Sequence, residues 1–279
     1  MPAYYRPERC ADAFRLLADR RLTVLAGGTD HYPARVGQAR ADDILDVSAL
    51  RDLRGIAREA ARWRIGAGTT WSDVIETQLP PLFDGLKLAA REVGGLQIQN
   101  AGTVAGNLCN ASPAADGVPP LLALDAAVEL SSTAGVRTVP LHAFILGPRR
   151  TARRPDELLS AVLVPHPAHD ARSHFAKLGA RRYLVISIAM VAATIQHARG
   201  KVTSARVAVG ACSPVARRLP ALEDALAGAR LDASLGSRAQ AAHLEPLAPL
   251  DDVRADAAYR REAALILLQR TLSHLGSAA

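Results

Sequence analysis

Residues 103–116 read TVAGNLCNASPAAD, and the fold turns on how this run is understood. Ala105, Gly106, Asn107, Asn110, Ala111, Ser112 and Ala114 are small or amide-bearing, and Asp116 ends the stretch on a carboxylate. So little bulk makes a poor core segment. It suits a loop that another molecule approaches closely: Gly106 leaves room for backbone contact, while Thr103 and Asn107 offer side-chain hydrogen bonds. Asp116 has two readings, an acceptor for sugar-like hydroxyls or a cap on the helix that follows.

A second stretch of the same character lies upstream at Val24–Asp30, VLAGGTD. Leu22–Leu25 is a short run of strand formers, and Gly27-Gly28 then lets the chain turn sharply and bring bare N–H groups near an anion, typically a phosphate. A lone glycine pair is equally explained by a tight turn. Two such segments together can clamp a pyrophosphate from both sides. The dinucleotide fingerprint is missing, because Gly66-Ala67-Gly68 is followed by Thr69, Thr70 and Trp71 rather than by a third glycine. Walker A, HExxH and GxSxG patterns are missing too. The sequence therefore points to a phosphate-bearing ligand held without the usual nucleotide motifs.

Around these segments the chain alternates helices and strands. Pro7-Glu8 opens a helix carrying Phe14, Leu17 and Ala18 at helical spacing. Strands are expected at Leu22–Leu25, Ile44–Val47, Trp63–Ile65, Ala126–Leu130 and Leu158–Val164. Thr70 to Asp73 can cap a helix, and Pro80–Glu92 and Pro119–Leu124 read as helices. Pro148–Pro155, PRRTARRP, is a basic, proline-bounded loop. The run Pro165 to Asp170 is the expected domain boundary. Beyond it, Ile186–Ile195 and Val202–Val209 read as antiparallel strands joined through Ala198 to Lys201, and Asp256–Leu275 as one long helix.

Composition excludes several classes. No apolar run is long enough to span a membrane, and MPAYYRPERC lacks a secretory apolar segment, so the cytoplasm is the expected compartment. Cys10, Cys109 and Cys212 are scattered, which argues against disulfides and against a metal or iron–sulfur site built by this chain alone. His166 and His169 have metal-like spacing, but Pro167 between them disfavours a helix that presents both rings. The formal charge is +7, yet only Lys87, Lys177 and Lys201 are lysines and aromatics make up 4%. That balance reads as arginine-rich composition rather than a nucleic-acid surface with base-stacking groups.

VLAGGTD, RIGAGTT (Arg64–Thr70), GTVAGNLCNASPAADGVPPLLALDA (Gly102–Ala126), FAKLGARR (Phe175–Arg182) and DDVRADAAYRREAALILLQRTL (Asp251–Leu272) occur in that order. Together they closely resemble the FAD-binding subunit of molybdenum hydroxylases, the group of xanthine dehydrogenase, carbon monoxide dehydrogenase and aldehyde oxidoreductase. The resemblance implies an α+β chain with a two-subdomain FAD-binding body of the vanillyl-alcohol-oxidase type over residues 1–168, dividing near residue 55, and a C-terminal lobe of antiparallel sheet and helices over 169–279. It implies that Val24, Ala26, Gly27, Gly28, Thr29 and Asp30, with Thr103, Ala105, Gly106 and Asn107, grip the FAD pyrophosphate. Asp116 would meet the flavin's sugar-like portion, Lys177 would contact the cofactor, and Leu159 and Ile186 would pack near the flavin. One position departs from the family's TIGGN: Ala105 stands at its first glycine, where a positive φ would make the methyl costly.

The resemblance further implies a hetero-oligomer. A molybdenum-cofactor large subunit would hydroxylate the substrate, a small subunit with two [2Fe–2S] clusters would carry the electrons, and the FAD would deliver them to an outside acceptor: NAD, a quinone or dioxygen. No acid–base catalyst and no metal ligand is then expected in this chain. The alternatives are a stand-alone FAD-dependent reductase of the same superfamily, which would need its own substrate pocket and proton donor, and a basic interaction protein without enzymatic activity.

Overall fold

A computed structural model describes residues 2–37 and 42–277. The chain begins with β1 (Tyr4–Tyr5), α1 (Cys10–Asp19), β2 (Thr23–Leu25) and β3 (Ile44–Asp46). These strands form a small parallel sheet in the order β1-β3-β2, with Val24 opposite Leu45. Parallel pairing needs a crossover, and α1 supplies it between β1 and β2, burying Ala13 and Leu17 against the sheet side of the core.

Next come β4 (Ile56–Arg58), β5 (Arg62–Gly66), α2 (Trp71–Glu76), α3 (Asp84–Glu92), α4 (Leu96–Ala101), α5 (Val104–Asn110) and α6 (Val118–Ala123). They are followed by β6 (Ala127–Ser132), β7 (Gly135–Pro140), the one-turn α7 (Leu141–Phe144), β8 (Ile145–Gly147), β9 (Arg150–Thr151) and β10 (Leu158–Pro165). Strands β4-β5-β10-β6-β7 make an antiparallel sheet, and β8 pairs with β9 in a separate hairpin. Strand β10 is the middle of its sheet and is buried from Leu158 to Val164, so its sequence is apolar throughout instead of alternating.

The remaining chain builds a third sheet, β11-β12-β13-β14, from β11 (Asp170–Leu178), β12 (Ala189–Ala198), β13 (Lys201–Gly210) and β14 (Arg217–Arg218). Helices α8 (Pro220–Leu226) and α9 (Ala257–Ser277) follow. Along β12, Ala189, Val191, Ala193 and Ile195 face the helices. Met190 and Ala192 face the other way, onto Ala89 of α3 and Ala123 of α6. The sheet is thus covered on both faces, which makes β12 one continuous apolar run.

Close packing at that second face relies on small residues. A side chain at Gly85 would place its Cβ 3.0 Å from Ser173 Oγ and 3.1 Å from the His174 backbone. Glycine there lets α3 lie on β11, where the Ser173 hydroxyl accepts from Gly85 N at 2.8 Å and donates to Leu82 O at 2.6 Å.

The mixed α+β class agrees with the sequence expectation. Several boundaries differ. Proline-rich Pro81–Phe83 is a 3-10 turn, and the helix expected from Pro80 starts only at Asp84. The strand expected from Ile186 starts at Ala189. The basic loop 148–155 contains β9.

Candidate functional site

The RIGAGTT segment is the mount on which the rest hangs. After β5, Ala67 N donates to Ser160 O of β10 at 3.0 Å, and Gly68 N donates to Leu53 O at 2.6 Å. Thr70 then caps α2 with a reciprocal capping box: its Oγ1 accepts from Asp73 N at 3.1 Å, and Asp73 Oδ2 accepts from Thr70 N at 2.8 Å. The same turn holds the neighbouring strand of chain. Thr70 pairs with Thr103, Val104 N donates to Thr69 O at 2.9 Å, and Trp71 N donates to Gly102 O at 3.2 Å.

Held there, the first half of 103–116 is not the loop expected from its composition, while 111–116 does run as a loop. Residues Val104–Asn110 are helix α5, and Thr103 is its N-cap, with Oγ1 accepting from Gly106 N at 3.0 Å. Small size serves packing here: Val104, Ala105 and Leu108 are buried, and α5 lies against β10. The two positions of the expected glycine pair differ sharply. A Cβ at Gly106 would sit 2.8 Å from Thr103 Oγ1, whereas Ala105 lies in the first helical turn and has no positive φ. The condition under which the methyl would be costly is not met, and it is a core contact. Strain falls instead at Ala111, the left-handed C-cap of α5 with φ 47°, a conformation that costs an L-residue about 1 kcal/mol.

The glycine loop lies directly against this unit. A Cβ on Gly27 would fall 1.8 Å from Ala101 O, so only glycine lets the loop rest on the α4–α5 turn. Gly28 has φ 68°, and a Cβ there would meet the Tyr32 ring at 2.7 Å. Thr29 reaches the same turn, with Oγ1 3.4 Å from where a Cβ on Gly102 would be. Among the described residues no acceptor takes the N–H groups of Gly27, Gly28, Thr29 or Asp30. That row of free donors is what an anion-binding nest requires.

Two further contacts complete the site. Arg149, in the β8–β9 turn, donates from Nη1 to Asp30 Oδ2 at 2.7 Å and also to Asn110 Oδ1, so it bridges the glycine loop and the far end of α5. Asp116 is buried and accepts from Lys177 Nζ of β11 and from Ser187 Oγ, each at 2.9 Å. Lys177 Nζ also donates to Glu92 O at 3.3 Å. Burial pushes the Asp116 carboxyl up, against the opposing pull of Lys177 and of both hydrogen bonds. Asp116 is not the cap of α6; Gly117 is its N-cap, without a side-chain bond. Gly117 is needed because a Cβ there would meet the Trp71 ring at 2.4 Å.

The structure therefore brings Ala26 to Asp30 against the turn that leads into Thr103–Asn107, and it joins Asp116 to Lys177. Val24 lies in β2, directly before the glycine loop. Leu159 is 2% exposed in β10, the strand behind α5. Ile186 is 53% exposed on the segment between β11 and β12, with Tyr183 and Leu184 exposed beside it. Sequence reasoning missed Ser187, Trp71 and Arg149. Arg149 carried a signal in the basic loop, but nothing local says where its side chain goes.

FAD is long, anionic at its pyrophosphate and rich in hydroxyls. The residues present fit it: a row of free N–H groups on a glycine loop, a buried Asn107 Oδ1 with no partner among the described residues, and a carboxylate that has lone pairs to spare beside Lys177. The three cysteines are free, and no helix among the described residues is long and apolar enough to cross a membrane.

Comparison with known proteins agrees. Residues 1–167 match the model for the FAD binding domain in molybdopterin dehydrogenase, and residues 174–275 match that for the CO dehydrogenase flavoprotein C-terminal domain. The xanthine dehydrogenase FAD-binding subunit of Escherichia coli O157:H7 is 32% identical over 288 residues, covering 99% of this chain and 97% of the relative. The carbon monoxide dehydrogenase medium chain of Afipia carboxidovorans is 30% identical over 277 residues, covering 96% and 94%. Among solved structures, reconstituted CO dehydrogenase from Oligotropha carboxidovorans superposes with a TM-score of 0.90 at 29% identity, over 100% of this chain and 99% of that one. With the glycine loop, the capped α5 and the buried Asp116–Lys177 pair already in place, the chain belongs to the FAD-binding flavoprotein subunits of the molybdenum hydroxylase family.

Proposed function

We propose that this chain is the electron-exit subunit of a molybdenum hydroxylase. It holds FAD where electrons from the iron–sulfur clusters of a small subunit, released by hydroxylation on a molybdenum-cofactor large subunit, leave for an outside acceptor: NAD, a quinone or dioxygen. Bound FAD supplies a centre that takes one or two electrons. The observation that carries the reading is the adjacency of the free N–H row at Gly27–Asp30 to the Ala101–Gly102 turn that leads into Thr103–Asn107, a segment distant in sequence.

Each residue has a task in this reading. Ala26, Gly27, Gly28, Thr29 and Asp30, with Val24 setting the strand before them, and Thr103, Ala105, Gly106 and Asn107 opposite, hold the pyrophosphate. Asp116 accepts from a hydroxyl of the flavin's chain, using lone pairs that Lys177 and Ser187 leave free. Lys177 opposes the upward push of burial on that carboxyl and holds it in place. Leu159 and Ile186 supply apolar contact for the ring system. No side chain moves a proton. A division of the chain near residue 168, with a subdivision near residue 55, belongs to the same reading; it is supported by β10 ending at Pro165 in one sheet and β11 beginning at Asp170 in another.

The test uses the complex purified from its native host. Flavin, iron and molybdenum are measured together, and the isolated chain is assayed alone. The expected result is all three in the complex, and an FAD-loaded chain that oxidises no organic substrate by itself. Flavin alone, with turnover by the isolated chain, would overturn the proposal in favour of a stand-alone reductase.

A further inference from the structure

Arg149 is an L-residue in the left-handed region, with φ 59°. Its N–H donates to Ala111 O at 3.0 Å, so the strained turn meets the other strained residue of the site. Glycine would make that backbone bond without strain. What only arginine adds is the side chain, which reaches Asp30 Oδ2 at 2.7 Å across a separation of 119 residues and also donates to Asn110.

Asp30 ends the row of free N–H groups. Its carboxylate stands beside donors suited to an anion, and on its own it would repel one. Sixteen ion pairs are found among the described residues, and the only one that reaches Asp30 is with Arg149. We propose that Arg149 is a cofactor-positioning residue: it cancels the Asp30 charge and ties the glycine loop to the end of α5, so that the N–H row meets the FAD pyrophosphate without a competing anion. The inference rests on the reading that the Gly27–Asp30 row faces that pyrophosphate, and it adds a residue outside the two gripping segments.

The test measures FAD dissociation constants by flavin fluorescence on the full-length apo chain, with apo melting temperatures alongside. Arg149→Gly relieves the backbone and keeps the N–H, so the apo melting temperature stays at or above that of the wild type. FAD binding weakens about tenfold, the scale of one uncompensated carboxylate acting through water on a doubly charged group. The deficit shrinks to about twofold at high salt, where screening acts within a few ångströms. Adding Asp30→Asn to Arg149→Gly restores most of the affinity.

A purely structural role would show neither the salt dependence nor the rescue. An Arg149→Gly affinity within twofold of wild type at low salt, or no recovery in the double variant, would overturn the proposal. Gly28→Ala separates the two levels. If it abolishes FAD binding in a folded chain while Arg149→Gly does not, only the Arg149 role fails. If it leaves binding intact as well, the placement of the pyrophosphate fails with it.

Discussion

At the scale of single residues, neighbouring small positions turn out to have different jobs. Ala105 is core and Gly106 is clearance for the Thr103 cap. Ala105→Gly is therefore expected to cost about 1 kcal/mol of stability, from glycine inside a helix, while leaving FAD affinity within about twofold. Gly106→Ala drives a methyl into Thr103 Oγ1 and costs about 1 kcal/mol through the lost cap, with weaker FAD binding as well. Urea melts and flavin titration of both variants check this contrast. The Asp116–Lys177 pair is a different case, because both side chains are buried. Lys177→Met leaves a buried carboxylate without its counter-ion, expected to cost about 3–5 kcal/mol near neutral pH. The charged form is then the costly one and the folded carboxyl titrates higher still. The penalty should therefore grow as pH rises through the carboxylate range and shrink below it, which urea melts between pH 4 and 8 would show.

At the scale of elements, β11 packs against both α3 and α9, and its two faces behave differently. Ser173, Phe175 and Lys177 point to α3, α6 and Asp116. Arg172 and His174, two residues apart and so on the opposite face, turn toward α9, where the His174 and His274 rings lie 4.2 Å apart. Arg172 Nε and Nη2 are buried without a partner among the described residues. Burial, then the neighbouring His274, lowers the His174 imidazole to about 4. The unfolded chain takes up that proton near pH 6.5 and the folded chain only near 4, so stability falls as pH drops through this window. The expected loss is about 1–2 kcal/mol, discounted because the ring is partly exposed. Denaturant melts at pH 7.5 and pH 4.5 measure it, and His174→Gln should flatten the difference. Much of this layer was legible in advance. The β12–β13 hairpin, α9 and the Thr70–Asp73 cap follow from apolar runs, spacing and a two-residue cap rule. Strands β1 and β4 are too short for any period to register, and β11 carries polar residues on both faces, Ser173 and Lys177 on one and Arg172 and His174 on the other, so no apolar face marks it as a strand. Helix α5 was hidden because small residues chosen for close packing look like loop residues when only composition is read.

At the scale of the whole molecule, the site is built where separate sheets meet. The small parallel sheet delivers the glycine loop, the five-stranded sheet backs α5 through β10, and the four-stranded sheet sends Lys177 to Asp116, with Ser187 arriving from the segment between β11 and β12. The two glycine-bearing segments, and their closing on one ligand from both sides, could be expected from the sequence; the contacts that bring them together, Gly27 resting on Ala101 and the Thr70–Thr103 bridge, could not. The Arg149 bridge was equally invisible, since it spans a distance in sequence that no local pattern encodes. FAD should consequently stabilise the molecule as a unit, raising its melting temperature with ligand concentration as mass action requires. The most direct test is the structure of the chain with FAD bound. Pyrophosphate oxygens are expected within hydrogen-bond distance of N–H groups in both Gly27–Asp30 and Thr103–Asn107, with Asp116 meeting a hydroxyl of the flavin's chain. A pyrophosphate lying away from either segment would contradict that placement.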